Sequence, residues 1–203
     1  MVGGFTIEES ARRLGHYRWI SMRLFELLGG WVADTAEVPA KLQFALNSRH
    51  HGWHAELLEE RLPEVRELSP AAQTVAPSAD VAAAVEQLSA IAGPDRTTLR
   101  LLGVYDVVVP HLIAAMTWHL DRCTPVADLA VARTLRLILA DLADDRAGAM
   151  SLVDSSVDGS DIRLALEQRF EASGGISGPE MSVERHDVAR PSSSGADDVD
   201  VPG

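Results

Sequence analysis

The 203-residue chain carries a net charge of −12, is 46% hydrophobic and 24% charged, and has Lys41 as its only lysine. These values fit one soluble globular domain with an appendage. An acidic chain without a basic run repels phosphate backbones and anionic lipid, which disfavours nucleic-acid and membrane-surface roles. Cys123 is the only cysteine, so no internal disulfide forms and a reducing, cytoplasmic setting is expected.

The opening residues, MVGGFTIEESARR, lack the pattern of a secretory signal. Four long segments then show helical periodicity. The first covers about 6–33, with Ile7, Ala11, Leu14, Tyr17, Ser21, Leu24, Phe25, Leu28 and Val32 along one face. The second covers about 39–62. Pro39 suits a first helical turn and Pro63 ends the segment. Its inward face reads Phe44, Asn47, His51, His54, Leu58 and Leu62.

A long connection, 63–93, includes the short helical stretch DVAAAVEQLSAIAG. The third segment covers about 94–123, with Leu101, Tyr105, Val108, Leu112, Ala115 and His119 inward. Its most apolar run, LLGVYDVVVPHLIAAM, is interrupted by Asp106 and His111 and falls short of a continuous membrane span. Pro110 removes one backbone hydrogen bond and is expected to kink the helix near Asp106.

The fourth segment covers about 125–157, with an inward stripe of Ala130, Thr134, Leu137, Asp141, Asp144, Gly148 and Leu152, and Asp145 close beside it. A short helix at 160–172 follows. The remainder, 173–203, is rich in Gly, Ser, Pro and Asp. It lacks the apolar material to offset ordering, so a disordered acidic tail is expected.

The expected fold is therefore all-α: two antiparallel helical hairpins joined by one long crossover, a ferritin-like four-helix bundle. The stretch SRHHGWHAELLEERLPE places three of the seven histidines within five positions. His51 and His54 share the inward face and His50 lies off it. Pairing residues outward from the tight turns brings His51, His54, Asp141 and Asp144 to the middle of the bundle.

On the paired positions His51-x-x-His54 and Asp141-x-x-Asp144, and on the hairpin–crossover–hairpin connectivity over about 6–157, the chain resembles the ferritin-like superfamily. Dimetal members of that superfamily place one Glu on each of two helices and Glu-x-x-His on the other two. Here His54 matches the family's second-helix histidine and His51 replaces the preceding glutamate. Ser21 and Val108 or Val109 stand where the other two glutamates belong. Asp141 can replace the fourth-helix glutamate with Asp144 in the histidine's place; alternatively Asp145 aligns as the carboxylate with Gly148 in that place.

The resemblance implies one divalent ion (Fe, Mn or Zn) on His51, His54, Asp141 and Asp144, with Arg18, Tyr105 and Asp145 around it, and an oxidoreductase acting on a small molecule. The alternative is a metal-free network in which Arg18 and the histidines neutralise the aspartates, in a non-catalytic bundle that works by association. A second apolar stripe on each of the first two helices (Trp19, Ile20, Leu27, Trp31; and Leu42, Leu46, His50, Trp53, Leu57) needs cover. Either the crossover lies there or a homodimer packs hairpin to hairpin through helices 1 and 2, the latter being favoured. No phosphate-binding loop, dinucleotide fingerprint, serine elbow or paired CxxC motif is present.

Overall fold

The computed structural model describes residues 4–178, and all regular structure among them is helical. Helix α1 (Ile7–Ala33) opens on a capping box: the Glu9 amide donates to the Thr6 hydroxyl at 3.2 Å, and the Thr6 amide to the Glu9 carboxylate at 2.9 Å. Helix α2 (Val38–Glu59) starts with Pro39 in its first turn. The short connection between them makes α1 and α2 antiparallel, and theirs is the most extensive helix pairing in the protein. Leu14, Tyr17, Leu24 and Leu28 meet Phe44 and Leu58 in the core.

The crossover holds a 3₁₀ turn (Arg66–Leu68), the single turn α3 (Pro70–Gln73) and α4 (Ala79–Ser89). Gly15 on α1 lies so close to the Gln73 backbone that a β-carbon would overlap it, so glycine permits this approach. The crossover answers one open question. Ile20, Leu27 and Trp31 of α1 are buried, and Trp19, Leu27 and Trp31 form one wall of a groove whose other wall is Ala82, Val85 and Glu86 of α4. The second stripe of α1 is thus covered from within.

Helical backbone then runs from Pro94 to Leu120: a 3₁₀ turn, α5 (Thr97–Leu101), a π-helical segment (Leu102–Val108) and α6 (Val109–Leu120). The π segment sits immediately before Pro110. Proline has no N–H to give to the carbonyl four residues back, and its ring crowds that carbonyl. The ladder widens instead, and the Val109 amide donates to Val104 O. The disturbance expected around Asp106 takes this form. The run is apolar and long enough to cross a membrane by length and composition alone, but 67% of its most apolar window is buried inside the protein, as in a core helix.

Buried Arg100 fastens the start of this run to the end of α1. Its guanidinium donates to Asp34 Oδ2 at 2.6 Å, Asp34 O at 2.9 Å and Ile91 O at 3.1 Å, and lies 5.2 Å from the Trp31 ring. Tyr17 Oη donates to Ala115 O at 3.0 Å, linking α1 to α6.

Helix α7 (Leu129–Met150) pairs with α6 and with α2. It is shorter than the expected 125–157 and buries Ala132, Leu135, Ile138, Leu142, Asp145 and Ala149. The inward stripe is therefore one residue out of phase with the expected one: Leu137 is 38% exposed and Asp144 faces solvent. Helix α8 (Ser160–Ala172) packs on α4 and the π segment, with Phe170 stacked at 4.4 Å on His111.

Beyond α8 the first residues of the expected tail turn back onto the bundle. Gly174 and Gly175, at φ 72° and 77°, turn the chain back. Ile176 and Ser177 are buried, and the Arg13 guanidinium donates to Ser177 O at 3.1 Å. The Gly174 and Gly175 amides also donate back to Glu171 O and Phe170 O at the end of α8. The rest of the expected tail, 179–203, lies outside the described residues.

Candidate functional site

The histidine stretch lies on α2 where it faces α7. Two histidine–aspartate contacts cross that seam one turn apart, because His50 and His54 are four residues apart on one helix and Asp141 and Asp145 four apart on the other. His54 Nε2 is 3.0 Å from Asp141 Oδ2, and His50 Nδ1 is 2.9 Å from Asp145 Oδ2. A carboxylate only accepts, so these ring nitrogens carry the protons and donate.

The two pairs differ in wetness. The His54 side chain is fully buried and Asp141 is 30% exposed, whereas His50 is 31% exposed and Asp145 only 6%. Burial lowers the pKa of His54, although its bond to Asp141 opposes this, and burial raises that of Asp145, opposed by the bond it accepts from His50. Each pair thus places one dry partner against one wetter one.

His51 is buried deeper and has no such partner. Its ring stands edge-on to His54 with centroids 5.8 Å apart, and neither of its nitrogens is hydrogen-bonded. Burial, reinforced by the neighbouring histidines, pushes its pKa down to about 3, so His51 is neutral at physiological pH. Below it, Tyr105 Oη donates to Asn47 Oδ1 at 2.7 Å, and Gln43 Nε2 donates to the same oxygen at 2.9 Å. Tyr105 is buried, which raises its pKa well above the usual value.

The residues expected to form a metal centre are distributed as follows. His51, His54 and Tyr105 are inward and buried, as read from the sequence. Asp141 does meet His54. Asp144 does not enter the core; it is exposed, because the stripe of α7 is displaced by one residue. Asp145, expected at the edge, is the buried carboxylate. Arg18 does not neutralise the aspartates: its guanidinium binds Glu59 at 2.8 Å and Thr74 Oγ1 at 2.7 Å, between α1, α2 and the crossover.

Sequence reasoning set His50 aside and missed its bond to Asp145. The shared four-residue spacing of His50/His54 and Asp141/Asp145 was the available signal. Among the described residues, no group of three or more His, Cys, Asp or Glu is placed to hold a metal ion. The donor set does not fit a dimetal carboxylate centre, since each aspartate is taken up by one histidine and no glutamate joins them. Burial raises the Cys123 thiol pKa to about 11.

Outside the seam, α2 exposes several large apolar side chains to solvent, with the exposed Arg49, Glu56 and Glu60 among them. Val38, Leu42, Leu46 and Trp53 are 63%, 65%, 48% and 45% exposed. Phe25 of α1 (48%) borders it on one side, and Leu137 of α7 (38%) on the other. At the C-terminal end of α2 this face runs into a groove of about 820 Å³ lined by Leu57, Arg61, Leu129, Arg133 and Leu137. The crossover covers α1 but leaves α2 open. Comparisons with family models, with curated proteins and with solved structures found no match for this chain.

Proposed function

We propose that the chain is a non-catalytic bundle of the ferritin-like type whose work is association, through the uncovered apolar face of α2, and that the histidine–aspartate pairs are internal architecture joining α2 to α7. The bundle type is supported by connectivity: the antiparallel pair α1–α2, the long crossover, then the pairing of α6 with α7. The observation that carries the functional reading is the stripe Leu42, Leu46, Trp53, each about half exposed or more on one helix face. Large apolar side chains grouped on one helix face support an interaction surface, whereas singly scattered ones do not. A photo-crosslinking residue placed at Leu46 in the source cell is expected to yield a discrete adduct heavier than the 21.9 kDa chain. The same residue at Glu171, exposed at the far end of α8, is expected to yield none. No adduct from Leu46 would end this reading.

One observation favours a second reading, a single divalent ion on His51 and His54 with Asp141. Both ring nitrogens of His51 and Nδ1 of His54 are buried without a hydrogen-bond partner, and polar atoms left so are costly unless something binds them. Elemental analysis of protein purified without chelator tests it. About one equivalent of Fe, Mn or Zn, lost in a folded His51→Ala/Asp141→Ala variant, would favour the ion.

A further inference from the structure

We propose that the groove between the C-terminal end of α2 and the N-terminal half of α7 binds a medium-chain carboxylate. Its head lies between Arg61 and Arg133, and its alkyl chain runs along Leu129 and Ala130 toward Val126. The inference goes beyond the association reading and does not depend on it, since Leu42, Leu46 and Trp53 are not in the walls of this groove.

The groove is the open continuation of the seam that the two histidine–aspartate pairs close. His50 meets Asp145 and His54 meets Asp141, so residue numbers rise on α2 as they fall on α7. One turn further, this register sets Leu57 beside Leu137. From there the seam widens into a space of about 820 Å³, with Arg61 on one wall and Arg133 and Thr134 on the other. The turn before α7, at Val126 and Ala127, closes the far end.

The surface of the groove is mainly apolar. Leu129, Arg133 and Leu137 follow one another at four-residue steps and share one face of α7. Val126 and Leu129 are 93% and 64% exposed, and Leu137 is exposed as well. Large apolar groups gathered around a concavity, with a few polar groups among them, have the make-up of a small-molecule site. Arg133 stands about 6 Å along the helix from Leu129, and Val126 extends the apolar wall beyond it. That wall has room for a chain of several methylenes.

Charge selects the head group. The two charged residues lining the groove are both arginines, one from each wall, in a chain of net charge −12. Arg133 is exposed and makes no ion pair among the described residues. Arg61 holds the exposed Glu60 through Nη2 at 3.0 Å, but its Nε is buried without an acceptor. A guanidinium carries five N–H donors, so each of these arginines can take a further carboxylate. A carboxylate between them receives charge-assisted hydrogen bonds from both walls. Beyond Leu137 the next group on the seam is the partly exposed carboxylate of Asp141, which repels an anion. The head therefore stays at the arginines and the chain takes the opposite direction, toward Val126. A ligand charged along its whole length would gain nothing from the apolar wall and would be repelled by the acidic body.

Isothermal titration calorimetry of the full chain with dodecanoate, below its micellar concentration, tests the proposal. Hexanoate, decanoate and dodecyltrimethylammonium serve as comparison probes. Saturable one-to-one binding of dodecanoate is expected, tightening about two- to fourfold per added methylene from hexanoate upward. Dodecyltrimethylammonium, with the same chain and the opposite charge, is expected to bind at least about tenfold more weakly. Arg133→Glu and Leu129→Asp, both at exposed positions, are each expected to weaken dodecanoate at least about tenfold while leaving the helical content unchanged.

Absence of saturable dodecanoate binding would overturn the proposal. So would an affinity indifferent to chain length, or equal binding of dodecyltrimethylammonium. Dodecanoate binding left intact by both variants would place the ligand elsewhere and overturn it too. The association reading is decided separately, by the crosslink at Leu46.

Discussion

Replacing His51 by leucine should make the protein more stable. The side chain is 1% exposed and both ring nitrogens lack partners, so the folded state holds an unpaid donor and an unpaid acceptor in one ring. Leaving a buried polar group unsatisfied costs about 1–3 kcal/mol. Leucine keeps much of the volume and removes the polar atoms, so a gain of about 1–2 kcal/mol at pH 7 is expected.

The same substitution should change the response to acid. The His51 pKa is about 3 in the folded protein against an ordinary value of 6.5. Below pH 6.5 the unfolded chain therefore takes up a proton that the folded chain refuses, and stability falls as pH falls. One such group costs about 2 kcal/mol between pH 7 and pH 5. His16 and His119, each lowered to about 4, and His54, also lowered, act in the same direction. The wild type should thus lose more than one histidine's share, and the variant should lose about 2 kcal/mol less than the wild type. Urea unfolding of both proteins at pH 7 and pH 5 measures this. A variant that is less stable at pH 7, or that loses as much in acid as the wild type, would refute the description of His51 as a neutral, unpartnered core group.

Tyr105→Phe deletes the buried 2.7 Å bond to Asn47 Oδ1 and should cost about 1–2 kcal/mol in the same urea assay. Gly15→Ala forces α1 away from the Gln73 backbone and should cost about 1–3 kcal/mol, with faster proteolysis of the crossover around residues 66–74 as a local readout. Trp53→Asp should leave the unfolding free energy of the isolated monomer within about 0.5 kcal/mol of wild type, measured under dilute conditions, because the side chain is 45% exposed.

Much of the architecture was legible because the 3.6-residue period finds the buried stripe of most helices, although on α1 it also placed Ile7 and Phe25 inward, and both are about half exposed. Every residue assigned inward on α2 and on the Pro94–Leu120 run is buried. On α7 the sequence LAVARTLRLILADLADDRAGAM supports two phases. Leucines at 137 and 135, and aspartates at 141, 144 and 145, let a wheel one residue off look equally apolar. Packing against α2 and α6 chooses between the phases, and that choice moved Asp145 inward and Asp144 outward.

The His50–Asp145 pair was hidden for the same reason, since neither residue lies at the centre of its own stripe. They meet only once two helices are set side by side. The π segment was hidden because a 3.6-residue pattern cannot represent a widened turn, although Pro110 marked its place. Arg18 was assigned to the bundle centre by level along the helix, but an arginine at a stripe edge reaches sideways to Glu59 and Thr74, where its charge stays partly hydrated.

Native mass spectrometry of untagged protein, incubated with Fe(II), Mn(II) or Zn(II) and desalted, reads association and metal content together. The expected spectrum shows no added metal mass on any species of the 21.9 kDa chain, unchanged between wild type and His51→Leu. A monomer carrying one metal ion, lost in His51→Leu, would contradict the central claim and move the function from the open face of α2 to the histidines in the core.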